Sequence, residues 1–158
     1  MGQGPDMTLD LKRRAEEGIE KCRVGNWKEG MDDLGWVAEQ DHGDIELPGA
    51  FYSYLGYGIA RLDKKYREGL KLCQHAIKMQ VYEPDNFMNL ARVYLLTRNR
   101  EKAHKALLRG LALDAEHPGL RRVWRELGIR KAQPIPFLSR KNPLNEILGR
   151  LRRKHNRG

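Results

Sequence analysis

Pro84-Asp85-Asn86-Phe87-Met88-Asn89-Leu90-Ala91-Arg92-Val93-Tyr94, followed by Ala103-His104-Lys105-Ala106-Leu107-Leu108-Arg109-Gly110-Leu111, is the stretch that decides the fold. Phe87, Leu90, Ala91 and Tyr94 recur at three- and four-residue spacing, as do Ala103, Leu107, Gly110 and Leu111. Each segment therefore carries its apolar side chains along one face of a helix. The small residues at 91, 103 and 110 add a second constraint. Two antiparallel helices of a hairpin touch closely only where one side chain is nearly absent.

The same pattern returns upstream. Leu55-Gly56 precedes Leu90-Ala91 by 35 residues, each pair with an aromatic three places before the Leu, Tyr52 and Phe87. Gly69-Leu70 and Ala103-His104 are 34 apart, as are His75-Ala76-Ile77 and Arg109-Gly110-Leu111. Self-similarity at this period marks a stack of helical hairpins. The odd residue is expected in the turn around 63–66, where an insertion disturbs no packed surface. A third copy lies further upstream: Gly18 and Gly30 are twelve apart, like Ala91 and Ala103, with Gly25-Asn26-Trp27 turning the chain between them. Its second helix runs on through Trp36 and Val37.

This pattern resembles the tetratricopeptide repeat, whose signature runs aromatic, Leu, Gly or Ala, aromatic, then Ala, an aromatic or aliphatic residue, Ala and Pro. Phe87, Leu90, Ala91, Tyr94, Ala103, Leu107 and Gly110 occupy signature places, and Leu113-Asp114 leads to Pro118, with Ala115 where a Pro is expected. The middle copy departs by its extra residue and by Cys73 where an aromatic is common. The first departs most, with Arg14 and Lys21 at places expected to be apolar. The resemblance spans residues 9–117. It implies an all-α, right-handed helical-hairpin solenoid over residues 9–133, with repeats at 9–44, 49–83 and 84–117 and residues 1–8 as an N-terminal tail.

The resemblance also implies that first helices line a concave groove holding a protein or peptide partner. Its groove-facing positions are Ser53, Tyr54, Tyr57 and Arg61 in one copy and Met88, Asn89, Arg92 and Leu96 in the next. Tyr and Arg suit the centre of an interface. Some members of the family grip a terminal carboxylate with Lys, Asn and Arg side chains. Only Asn89 and Arg92 fall near suitable places, and Ala15 and Ile19 stand where the first basic and Asn groups belong, so chaperone binding through such a clamp is not expected.

Beyond the repeats, Leu120, Val123, Trp124 and Leu127 have helical spacing and predict a capping helix over 118–128, closed by Gly128. Pro134-Ile135-Pro136-Phe137-Leu138 must be extended. It forms an apolar strip able to pack on the last repeat or to fold back into the groove. Asn142-Pro143 then opens a helix with Leu144, Ile147, Leu148 and Leu151 on one stripe. Arg150, Arg152, Arg153 and Lys154 cluster at its end, and Arg140 and Lys141 precede it.

Charge is unevenly spread. The net charge is +9, yet residues 120–158 hold twelve Lys or Arg against two Asp or Glu, leaving the rest of the chain near neutral. The Pro-containing arm and basic amphipathic helix at 134–158 thus form an alternative surface, for nucleic acid or an anionic membrane. No aromatic platform is interleaved with its cations, which weakens the nucleic-acid reading.

Other classes find little support. Cys22 and Cys73 lie among apolar residues with no Cys-x-x-Cys spacing, and read as reduced core thiols. His42 sits with Glu39, Asp41, Asp44 and Glu46 in a loop without calcium-loop spacing, and His75 and His104 have no ligand partners in register. No catalytic residue, metal site or cofactor is expected. No apolar run is long enough to cross a bilayer or serve as a signal core. The residues after Gly2 lack the Ser or Thr of a myristoylation signal. The expectation is a cytoplasmic, non-catalytic protein-interaction adaptor.

Overall fold

The computed structural model describes residues 5–42 and 45–128, with side chains from Met7 onward. Seven helices occupy them: α1 (Pro5–Arg23), α2 (Trp27–Glu39), α3 (Gly49–Leu62), α4 (Tyr66–Met79), α5 (Pro84–Leu96), α6 (Arg100–Leu113) and α7 (Pro118–Leu127). They pair as hairpins α1/α2, α3/α4 and α5/α6, with α7 against α5 and α6, and all lie within the unit Met1–Leu127. First helices pack in succession, α1 on α3, α3 on α5 and α5 on α7. This is a right-handed helical-hairpin solenoid, as the repeat pattern implies.

Each hairpin turns the same way. Residues 24–26, 63–65 and 97–99 join the helices, and the middle residue of each is left-handed: Gly25 at φ 95°, Lys64 at 60° and Arg98 at 57°. Equal turns relocate the extra residue. It is absorbed by α3, which runs to Leu62, seven places past Leu55, whereas α5 ends at Leu96, six past Leu90. A further helical residue keeps its backbone hydrogen bond, so lengthening the helix end is less costly than distorting a tight turn.

Close approach within the hairpins is borne by glycine. A Cβ on Gly56 would stand 2.8 Å from the Gly69 carbonyl oxygen and 2.9 Å from Leu72 Cβ. Along the stack Tyr54, Phe51, Phe87, Leu34, Leu107 and Leu120 are fully buried. Each such apolar side chain contributes roughly 1.5–3 kcal/mol. Cys22 and Cys73 are buried as well, and Cys73 Sγ donates to the Ser53 carbonyl at 3.5 Å.

The first hairpin differs from expectation at two points. Helix α1 starts at Pro5, not after a tail of residues 1–8, because a proline's fixed φ and missing N–H suit a helix's first turn. Arg14 and Lys21 do not break the apolar face. Arg14 Nε lies 3.1 Å from Asp33 Oδ1 and Lys21 Nζ 2.6 Å from Asp33 Oδ2, so α1 and α2 are joined by a half-buried ion network. Arg14 also stacks 4.2 Å above Trp36.

The capping helix is observed as predicted. Leu120, Val123 and Leu127 are buried, Trp124 lies half-buried 5.2 Å from His104, and Gly128 ends the helix at φ 62°. Arg100 donates to the Leu127 carbonyl, satisfying one of the free carbonyls at that end. The strip at 134–138 and the basic residues Arg140, Lys141, Arg150, Arg152, Arg153 and Lys154 lie outside the described residues.

Candidate functional site

A single carboxylate organises the face lined by the first helices. Asp85 is placed at the start of α5 by Pro84 and by Glu83, whose side chain accepts from the Asp85 N–H at 3.3 Å. Asp85 is 2% exposed, and a buried carboxylate is stable only when fully hydrogen-bonded. Its Oδ2 accepts from Arg23 Nη2 at 2.7 Å, Arg23 Nε at 3.1 Å and the Tyr54 hydroxyl at 2.9 Å. His117 Nε2 lies 3.1 Å from Oδ1. Because His117 Nδ1 accepts the Leu120 N–H at 3.2 Å, the ring proton sits on Nε2 and points at Asp85. Helices α1, α3, α5 and the start of α7 thus meet at one group. Burial, then the Asp85 charge, push the Tyr54 hydroxyl well above its ordinary pKa. Burial alone would lower Arg23, but its bond to Asp85 holds it above its usual value.

Outward from this centre runs a series of rings and guanidinium groups. Trp27 stacks on Tyr54 at 6.0 Å and meets Tyr57 edge-on at 4.9 Å. Arg61 lies 5.5 Å above Trp27, Arg92 5.3 Å above Tyr57, and Arg23 5.8 Å above Tyr54. Arg92 also donates to Asn89 Oδ1 at 3.4 Å. Beside Asp85, a cavity of 170 Å³ opens between Arg23, Met88, Arg92, His117 and Arg122.

The eight positions expected to face a groove divide sharply. Tyr57, Arg61 and Arg92 reach solvent. Ser53 and Asn89 are fully buried and bonded to each other, Asn89 Nδ2 donating to Ser53 Oγ at 3.2 Å while Ser53 donates to the Ala50 carbonyl at 3.1 Å. Tyr54 and Met88 are buried as well, and show only at the floor of the cavity. Leu96 is half-buried against the core. Sequence reasoning missed Asp85, Arg23, Trp27, His117 and Arg122. Trp27 follows directly on a predicted turn, which marks it as close to the hairpin tip. The others carry no local signal.

The histidines singled out in the sequence are engaged elsewhere. His42 Nε2 approaches the Val37 carbonyl at 2.5 Å, and His75 packs edge-on to Tyr52 at 4.8 Å. Among the described residues no three acidic, His or Cys side chains gather as metal ligands, and no helix is long and apolar enough to cross a membrane.

No protein-family model matches the chain, and no curated protein matches it by sequence. Solved structures do. The first TPR domain of the human RPAP3 protein is 20% identical, with a TM-score of 0.57 over 79% of this chain and 92% of that one. The first TPR of Spaghetti (RPAP3) bound to the HSP90 peptide SRMEEVD is 17% identical, with a TM-score of 0.55 over 79% and 93%. PcrH in complex with the chaperone binding region of PopB is 19% identical, with a TM-score of 0.53 over 80% and 96%. At these identities the likeness is one of fold.

Proposed function

From a tetratricopeptide-type fold whose first-helix face presents aromatic rings and guanidinium groups, we propose that the chain is a non-catalytic adaptor holding an extended segment of a protein partner on that face. The observation that supports this most is the series of exposed Arg61 and half-buried Trp27, Tyr57 and Arg92, the last of which borders an open cavity beside Asp85. Aromatic and Arg side chains offer large contact area and many donors at modest entropic cost. Two of the similar folds are seen with partner segments bound, the HSP90 peptide on RPAP3 and the chaperone binding region of PopB on PcrH. The polar groups near the cavity do not form a nucleophile and base pair: His117 has both ring nitrogens occupied, and Asp85 is saturated with donors.

The test is site-specific photo-crosslinking in a nuclease-treated lysate, with a benzophenone side chain at position 61 or at exposed position 108 on α6. A partner crosslinked from 61, absent from 108 and lost on Tyr57→Ala with Arg92→Ala, supports groove binding. Capture that disappears with nuclease, or with Arg152→Gln and Arg153→Gln, moves the function to the basic C-terminal quarter and overturns the proposal.

A further inference from the structure

The chemistry of the first-helix face selects among partner segments, and this step rests on the reading of that face as a peptide groove. Three arginines and one histidine border the cavity of 170 Å³, with Asp85 as its acid. Asp85 is already committed to Arg23 and His117. Arg92 and Arg122 have no carboxylate partner among the described residues, and neither does Arg61 further along the face. By contrast Arg13 pairs with Asp10 and Glu17, Arg14 and Lys21 with Asp33, and Arg121 with Glu116. Two guanidinium groups without an acid partner, Arg92 and Arg122, thus border one cavity whose only carboxylate is already engaged.

We infer that this face takes an acidic peptide segment, one Glu or Asp carboxylate entering the cavity between Arg92 and Arg122 and further carboxylates lying along Arg92 and Arg61. The guanidinium fork pairs with a carboxylate through two parallel hydrogen bonds, and Arg92 is held against Tyr57, and Arg61 against Trp27, in advance. Met88 and Gly119, which line the cavity, accept the methylenes of a Glu side chain. Asp85 at the floor disfavours a dianion, because its own charge repels the second negative charge at close range. A single nucleic-acid strand fits less well, since Trp27 and Tyr57 have guanidinium groups over their rings where a base needs to stack.

The inference is tested on the full chain by fluorescence anisotropy with labelled hexaglutamate, hexaserine and decathymidylate. Hexaglutamate is expected to bind, hexaserine not, and affinity should fall as salt is raised. Arg92→Gln with Arg122→Gln should weaken hexaglutamate about tenfold or more, while Arg152→Gln with Arg153→Gln, in the basic C-terminal quarter, changes it less than about twofold. Arg122 is exposed and Arg92 half-buried, so circular dichroism and a urea titration verify that the variants remain folded. Hexaglutamate binding lost with the 152/153 variant and kept with the 92/122 variant overturns the inference. So does decathymidylate binding more tightly than hexaglutamate through Arg92 and Arg122. If crosslinking from position 61 still recovers a partner while hexaglutamate ignores Arg92 and Arg122, the acidic chemistry fails and the adaptor role survives. If neither is seen, both fall.

Discussion

Arg23 Nη2 lies 2.7 Å from Asp85 Oδ2, joining the last residue of α1 to the start of α5 across 62 positions of chain. No local sequence pattern predicts this pair, yet it fixes where the first and third hairpins meet and which side chains surround the cavity. The same carboxylate accepts from Tyr54 and faces His117, so its removal affects four helical segments together.

Asp85→Asn should therefore be among the most damaging isosteric changes in the protein. One amide oxygen replaces a charged acceptor, and the new NH₂ group faces donors; the expected loss is about 2–4 kcal/mol. Tyr54→Phe removes one neutral donor and should cost about 1 kcal/mol. Urea titrations of the two variants check both, and equal midpoints would contradict the account of Asp85.

Two glycines predict opposite signs for one substitution. Gly56→Ala drives a methyl into the Gly69 carbonyl and Leu72, both part of packed helices, and should destabilise by roughly 1–3 kcal/mol despite alanine's better helix propensity. Gly35 lies within α2, and a Cβ added there would meet nothing within 4 Å, so Gly35→Ala should stabilise by up to about 1 kcal/mol. Thermal melts of the pair give the answer.

Much of this architecture was legible beforehand. The spacing of Phe87, Leu90, Ala91 and Tyr94, and its return at Tyr52, Leu55 and Gly56, located both later hairpins because helix packing imposes it locally. The first hairpin was harder to read: Arg14 and Lys21 look misplaced until Asp33, on the next helix, is known to meet them. The site was least legible. Ser53 and Asn89 are polar on first helices, which suggests a groove, but their polarity is consumed by a buried mutual bond. Arg122 belongs by sequence to the basic C-terminal quarter, and only the packing of α7 on α5 brings it to the cavity.

Acid should weaken the first hairpin through Asp33. Burial would raise its pKa, but Lys21 and Arg14 outweigh that and hold the carboxyl below its ordinary value. A depressed folded-state pKa gives stabilisation that is complete above the unfolded value of about 3.9 and is lost as pH falls through the lower folded value. Urea midpoints should drop below about pH 4, and the drop should be shallower in Asp33→Asn, which begins less stable at neutral pH.

Both thiols should be silent in the folded protein. Burial, aided by the Asp33 charge, pushes the Cys22 thiol to about 12, and burial raises Cys73 further. With so little thiolate, a chromogenic disulfide reagent at neutral pH should react at the rate of unfolding, and both cysteines should titrate at once in denaturant. Prompt reaction of either in native buffer would contradict their placement.

Stacked repeats ordinarily behave like a row of dominoes, able to fray from either end because each unit touches only its neighbours. Asp85 changes that by bonding simultaneously to the end of α1 and to the residue that opens α7. A short array held at both extremities by one interior residue should melt in a single step, with amide protons of its outer helices exchanging nearly as slowly as those at its centre.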